Sequence, residues 1–308
     1  MKLPLLPILL SAASLHAAAQ IDSREVSFTS AGYRLQGTLT APAREPARAS
    51  VLILGGSGPI DRNGASPLHP AAPPNYRLWA ERLSEAGYAV LRYDKRFLTY
   101  PDIDLLSFDQ EAHIADALAA VAFLRARRDD SGKVLFLLGH SEGGTLAVVA
   151  ARRAAPIAGL VVVNAVQFPV DELLLAQLAA SPTIPKAAVD EVRGHLAKIK
   201  DGSFPARGQL LGAGKEYWAQ WIRNSGNSPA VLAELQVPVL LVQSLADETL
   251  PGETLSRNVE VLRAVARANR NAQLLELAYH DHFAVLRTER QPSAEFTQGL
   301  VDWLRRSR

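Results

Sequence analysis

The chain has 308 residues, 33 Lys and Arg against 31 Asp and Glu for a net charge of +2, and no cysteine. Apolar residues at 48% and charged residues at 21% are ordinary for a globular protein and exclude a disordered tail protein, a collagen and a coiled coil. Without thiols there are no disulfides, thiolate zinc sites, cysteine-ligated iron–sulfur clusters, cysteine nucleophiles or lipid-modified N-terminal cysteine, and the near balance of charge leaves no basic stripe for nucleic acid.

At the N-terminus, Lys2 precedes an apolar run, Leu3 to Leu10, and an Ala-rich stretch, Ser11 to Ala19. Ala17-Ala18-Ala19 fits an A-x-A cleavage site before Gln20, so residues 1–19 are expected to be a secretory signal peptide. The apolar part is too short for a permanent membrane helix. The remaining chain, 20–308, is then expected to be periplasmic or secreted, without a stable membrane anchor.

Glu25–Ser30 and Tyr33–Thr40 predict an antiparallel hairpin around Ala31-Gly32. Ala41–Ala47 is a Pro/Arg loop, and Val51–Leu54 is a fully apolar run of the kind that a strand buried on both faces needs. A Pro/Ala loop covers Ser66–Pro74, a helix Tyr76–Ala86, and a strand Ala89–Tyr93. Phe108–Arg127 has Ile114, Leu118, Val121 and Leu124 along one side of a long helix. Val134–Leu138 is another buried strand, followed by Gly139 and a helix to about Ala154; Leu160–Val163 is the next strand.

From about 171 to 230 the rhythm breaks. Leu173–Leu178, Ala187–Ile199 and Lys215–Arg223 read as helices with no convincing strand, which predicts a helical cap inserted over the sheet. Strand Val237–Gln243, helix Glu253–Ala268, strand Gln273–Leu277 and helix Ser293–Arg306 complete the chain. Strands alternating with helices predict an α/β fold with a mostly parallel sheet covered on both faces.

Gly139-His140-Ser141-Glu142-Gly143 is G-x-S-x-G, placed directly after a buried strand and before a helix. A serine on such a tight turn exposes its hydroxyl above the sheet edge, where it can act as a nucleophile. A hydroxyl needs a base, and a histidine oriented by a carboxylate is the usual one. In this architecture the order is Ser, acid, His. The downstream histidines are His195, in the cap, and His280 and His282, in the loop after the last strand; His282 is the chosen base, with His280 as alternative. Asp247 follows the Val237–Gln243 strand and is the chosen acid; Glu248 and Asp171 are fallbacks. The backbone N–H groups of Glu142 and of Ser57, in the loop Gly55-Gly56-Ser57-Gly58-Pro59, are the expected oxyanion donors.

These residues resemble the α/β-hydrolase superfamily, and within it bacterial esterases and serine aminopeptidase-like hydrolases. The matching pieces are Gly56-Ser57-Gly58-Pro59 with Asp61-Arg62-Asn63-Gly64, Leu91-Arg92-Tyr93-Asp94, Gly139 to Gly144, Val237-Pro238-Val239-Leu240 leading to Asp247, and Asp281-His282-Phe283. The resemblance implies an eight-stranded sheet with a cap, no metal and no organic cofactor, and it favours His282. Two positions depart from it. Phe97 stands where a glycine is usual and would put apolar bulk beside the pocket, and Ser244 stands where glycine often precedes the acid.

Trp218 and Trp221, with Tyr217, either line a pocket or pack the cap on the body. Asp61 and Arg62 either bind a polar substrate group or form a loop ion pair. Arg127-Arg128 and Arg305-Arg306 mark solvated helix ends. Together these readings predict an exported serine hydrolase that cleaves a carboxylic ester of moderate size through an acyl-enzyme. An aminopeptidase or acyl-peptidase acting on a short peptide with the same residues is the alternative. An inactive hydrolase-fold binding protein would lack a triad member, and every residue type is present.

Overall fold

In the computed structural model, residues 20–67, 73–127, 131–154, 156–286, 288–289 and 291–307 are described. The expected signal peptide, most of the Ser66–Pro74 loop and Arg128 therefore lie outside the described residues.

Strand β1 (Ile21–Ser30), an edge strand exposed over Asp22–Glu25 and buried only at Phe28 and Ser30, pairs antiparallel with β2 (Tyr33–Pro42). Then follow β3 (Ser50–Leu54), α1 (Asn75–Glu85), β4 (Ala89–Tyr93), a one-turn helix α2 (Arg96–Thr99) and α3 (Gln110–Arg125). The Asp109 side chain caps α3 by accepting from Ala112 N–H at 2.9 Å. Next come β5 (Leu135–His140), α4 (Glu142–Arg153) and β6 (Gly159–Val163). The insertion holds α5 (Val170–Ala180), α6 (Lys186–Asp201), the short strands β7 (Gln209–Leu210) and β8 (Ala213–Gly214), and α7 (Lys215–Glu234). The chain ends with β9 (Val239–Ser244), α8 (Glu253–Ala268), β10 (Ala272–Leu277) and α9 (Ala294–Arg306).

The main sheet has eight strands in the order β1-β2-β4-β3-β5-β6-β9-β10. β1, β2 and β4 pair antiparallel, and every pairing from β4 to β10 is parallel. All residues of β3, β5, β6 and β9 are buried, which is why those segments carry near-continuous Leu, Val and Ile. Alternate residues serve opposite layers. Leu52, Leu54 and Leu137 face α3, α4 and α8, whereas Val51, Ile53 and Leu138 face α1 and α9. A third apolar cluster joins the insertion to the body through Trp218, Trp221, Leu196 and Leu250.

Two features of the insertion differ from the sequence reading. The hairpin β7–β8 turns at Leu211 and Gly212, both at positive φ, and is too short to leave a period-2 signal. Helix α7 runs through Asn224-Ser225-Gly226 and Pro229 to Glu234, although glycine and proline there suggest a stop near Arg223. Packing overrides that propensity: Ser225, Ser228 and Leu232 are buried, and Ser225 Oγ accepts from Val170 N–H at 2.9 Å.

Candidate active site

Strand β5 ends at His140 and helix α4 starts at Glu142, so Ser141 alone makes the turn between them, at φ 56° and ψ −125°. This left-handed backbone is strained for a residue with a Cβ and lifts the side chain away from the sheet. The flanking glycines are required by space. A Cβ on Gly139 would lie 2.1 Å from Gly143 O, and one on Gly143 would lie 2.1 Å from Leu54 O.

The loop after β10 carries His282 to the loop after β9. His282 Nδ1 lies 2.8 Å from Asp247 Oδ2, and because the carboxylate only accepts, Nδ1 carries the proton and Nε2 is left as the basic nitrogen. Asp247 Oδ1 in turn accepts from Thr249 N–H (2.9 Å) and Thr249 Oγ1 (2.7 Å). Burial works to raise the Asp247 carboxyl, but the neighbouring His282 and the Thr249 hydrogen bonds outweigh it and hold the pKa below the ordinary value. For His282 burial works downward, and the Asp247 charge and hydrogen bond overcome it, so the imidazole pKa is raised.

Ser141, Glu142, Ser57 and His282 line one cavity of about 680 Å³. Its apolar wall includes Val166, Val170, Leu173, Trp218 and Trp221; Glu248, Gln177 and Asn164 also reach it. Glu142 is the first residue of α4, so its N–H has no partner within the helix. Gly56 rests against the serine, where a Cβ would come within 3.1 Å of Ser141 Cβ.

Behind the serine a proton-ordered chain ties the two loops together. Gly56 N–H donates to Tyr76 Oη (2.8 Å), which lies 2.8 Å from His140 Nδ1, and His140 Nε2 lies 2.8 Å from the His282 carbonyl oxygen. The carbonyl can only accept, so Nε2 carries the proton and Tyr76 donates to Nδ1. Burial holds the His140 pKa down at about 3, which keeps the ring neutral and this ordering intact.

A model of the alpha/beta hydrolase family matches residues 51–298. The chain belongs to the alpha/beta hydrolase family. Over 213 residues this hydrolase-family chain is 32% identical to Esterase EstD of Thermotoga maritima, an alignment covering 68% of this chain and 48% of that protein. It thus spans about half the length of that curated relative. Among solved structures it is similar to an esterase of Pyrococcus furiosus (TM-score 0.60, 17% identity, 93% of this chain and 91% of that one). It is also similar to the esterase domain of a Rhodothermus marinus protein (0.59, 21%, 93% and 98%) and to proline iminopeptidase of Mycobacterium smegmatis (0.58, 14%, 92% and 98%). At these identities the likeness is one of fold.

In this hydrolase fold the alternative residues fall elsewhere. His280 is buried, with Nε2 2.6 Å from Ser293 Oγ, the residue that caps α9. His195 on α6 packs edge-on against Phe204. Asp171 pairs with Lys200 at 2.7 Å, and Glu248 is exposed at the cavity wall. Asp61 and Arg62 do not pair with each other: Asp61 Oδ1 accepts from the N–H groups of Asn63 and Ala65, while Arg62 binds Asp94 and Glu25. Phe97 does not reach the cavity; it lies in the first turn of α2 after Arg96 and packs edge-on against Phe108 and His113, which corrects the expectation of apolar bulk at the pocket. Trp218 and Trp221 combine both readings, being buried, stacked at 5.6 Å and part of the cavity wall. Arg305 lies 3.5 Å from Asp302 at the end of α9.

Sequence reasoning missed Asn164 and the side-chain network of Glu142. Asn164, just after β6, accepts from Ser244 N–H and donates through Nδ2 to the His282 carbonyl (2.7 Å) and to Ser244 Oγ (3.0 Å), the last a bond that glycine at 244 could not make. Glu142 has a fully buried carboxylate whose partners are Lys95, Gln110 and Tyr217. A charged residue directly after the serine, with a lysine after β4, is the one signal the sequence offered for that network. Among the described residues no cluster of three or more His, Asp or Glu is placed to hold a metal, and no helix is long and apolar enough to cross a membrane.

Proposed function

We propose that the protein is an exported serine hydrolase that cleaves a carboxylic ester through an acyl-enzyme, with Ser141, His282 and Asp247 as its triad. The observation that carries this reading is the Asp247–His282 pair, whose imidazole lines the same cavity as Ser141. Ser141 Oγ attacks the ester carbonyl carbon while His282 Nε2 takes its proton. The Glu142 and Ser57 N–H groups bind the oxyanion, and the alcohol leaves with the proton returned by His282. Water then attacks the acyl-enzyme, giving its proton to His282, and the acid departs. The Asp247 carboxylate holds the ring and stabilises the transient imidazolium.

The apolar wall built by Val166, Val170, Leu173 and the two tryptophans suits an acyl group of moderate size, and the helical insertion acts as the cap over it. A free α-amine, which an aminopeptidase must bind, would need a carboxylate close to the serine. The nearest in sequence, Glu142, is already committed to Lys95, Gln110 and Tyr217, so that role would fall to Glu248, exposed at the cavity wall, and the preference for an ester rests on the apolar wall. Export rests on Lys2, the apolar run and Ala17-Ala18-Ala19.

A fluorophosphonate probe should label Ser141 in the wild-type protein and fail to label the Ser141→Ala variant. A p-nitrophenyl acyl ester should turn over far faster than an aminoacyl anilide, and Ser141→Ala should lose about 10³-fold or more of ester turnover while remaining folded. Retention of activity within about tenfold in that variant would remove the serine from the chemistry.

A further inference from the structure

Lys95 follows β4 and is buried beneath the Gly55–Gly58 loop, where its ammonium does two things. Its Nζ donates to the carbonyl oxygen of Gly56 (2.5 Å) and pairs with Glu142 Oε2 (3.1 Å). The other carboxylate oxygen of Glu142 accepts from Gln110 Nε2 and from Tyr217 Oη on α7, each at 2.7 Å. One lysine therefore touches both chain segments that carry the proposed oxyanion donors.

The geometry at Gly56 gives that contact a consequence. The Gly56 carbonyl and the Ser57 N–H belong to one planar peptide unit, in which they point to opposite sides. A loop with glycine at 55, 56 and 58 does not hold such a unit in one orientation by itself, because glycine tolerates both signs of φ. Here both polar groups of Gly56 are gripped, the N–H by Tyr76 Oη and the carbonyl by Lys95. The Ser57 N–H is thereby turned away from the lysine, and Ser57 lines the cavity shared with Ser141. The same lysine anchors the side chain of Glu142, whose own N–H is the second donor.

The fold alone gives no reason for this arrangement. Two buried charges are costly to desolvate, and a well-packed apolar pair of similar volume is often as good for stability or better. We infer that Lys95 is a positioning residue: through the Gly56 carbonyl and the Glu142 carboxylate it aims the two backbone donors at the developing oxyanion. Tyr217 extends the grip to the insertion, so the aim of the hole depends on α7 staying seated. This inference rests on the serine-hydrolase reading above.

The test compares the wild type, Lys95→Met, and the double variant Lys95→Met with Glu142→Gln, which leaves no buried charge unpaired and guards against simple misfolding. For p-nitrophenyl butyrate, kcat should fall about 10- to 10²-fold in both variants with KM within about threefold, a part of what outright loss of one oxyanion donor removes. An alkyl trifluoromethyl ketone, which forms an oxyanion on the serine, should lose affinity by the same factor as kcat/KM falls. A lysine that only holds the fold together would not produce that parallel. A folded double variant with kcat within about threefold of wild type, a loss confined to KM, or unchanged inhibition beside a fallen kcat would each overturn the inference. If the wild type itself neither takes the fluorophosphonate label nor cleaves any ester, the serine-hydrolase reading fails and the inference falls with it; active wild type beside fully active variants sinks the inference alone.

Discussion

The side-chain amide of Asn164 donates to the main-chain carbonyl of His282 at 2.7 Å, across 118 residues of sequence. Asn164 sits at the end of β6 with φ 49°, a conformation that asparagine tolerates better than most residues. Its carbonyl accepts from Ser244 N–H at 2.7 Å, so one side chain holds the ends of β6 and β9 and the His282 loop in register. Replacing Asn164 with alanine leaves Ser244 N–H without its partner and strips the His282 carbonyl of one of its two donors, the other being His140 Nε2, and should cost about 1–3 kcal/mol of stability. With the loop of the proposed base loosened, kcat should fall more than KM changes. Chemical denaturation together with steady-state kinetics checks both; an unchanged kcat would mean that the His282 loop holds its own shape.

The pH dependence follows from the opposed shifts of His282 and Asp247. The raised His282 pKa places the loss of its proton above the ordinary 6.5, and only the neutral ring can accept from Ser141. The kcat/KM profile should therefore rise through an inflection above 6.5. The stability that the protonated ring gains from Asp247 is fully present below its unfolded value and fades as pH rises through the folded one. Asp247 acts in the opposite sense: its lowered pKa gives stability above the ordinary 3.8 that is lost as pH falls through the folded value. Under the proposed mechanism Asp247→Asn should move the rising limb to lower pH and cut turnover by about 10⁴-fold. A rising limb that stays in place in this variant would show that the carboxylate does not set the pKa of the base.

Strain at Ser141 makes a separate prediction about stability. A side chain at φ 56° and ψ −125° costs about 1–3 kcal/mol, and glycine relieves it at the expense of greater freedom in the unfolded chain. Ser141→Gly should thus be more stable than Ser141→Ala by about 1 kcal/mol, with both variants inactive. Equal unfolding midpoints for the two would mean that the turn carries no strain.

The two neighbouring histidines should separate cleanly. His280 is buried against the capping Ser293, so His280→Ala should lose about 2–3 kcal/mol through the cavity and the missing hydrogen bond. Below its unfolding temperature its kcat should stay within about threefold of wild type, since the ring lies outside the proposed chemistry. His282→Ala should instead remove about 10³-fold or more of activity, even at temperatures where the variant is fully folded. Thermal unfolding and ester turnover on the two proteins decide between these outcomes.

Much of this molecule is written locally. The apolar runs of β3, β5, β6 and β9 announce strands buried on both faces, because solvent is absent from either side of such a strand. The glycines at 139 and 143 announce a turn with backbone packed within van der Waals range, because no other residue fits. What the sequence could not decide depends on segments far apart in the chain. His282 meets Asp247 while His280 turns to Ser293, in a loop tied to β6 through Asn164 and to β5 through His140, and no pattern within that loop encodes these contacts. The continuation of α7 past Pro229, the withdrawal of Phe97 from the cavity and the buried partners of Glu142 are likewise products of packing, where burial outweighs the preferences of a few neighbouring residues. Sequence alone determined the sheet, the turn and the residue types of the site; tertiary structure decided which side chains meet, because a hydrogen bond needs its partners within about 3 Å and only the folded core supplies that.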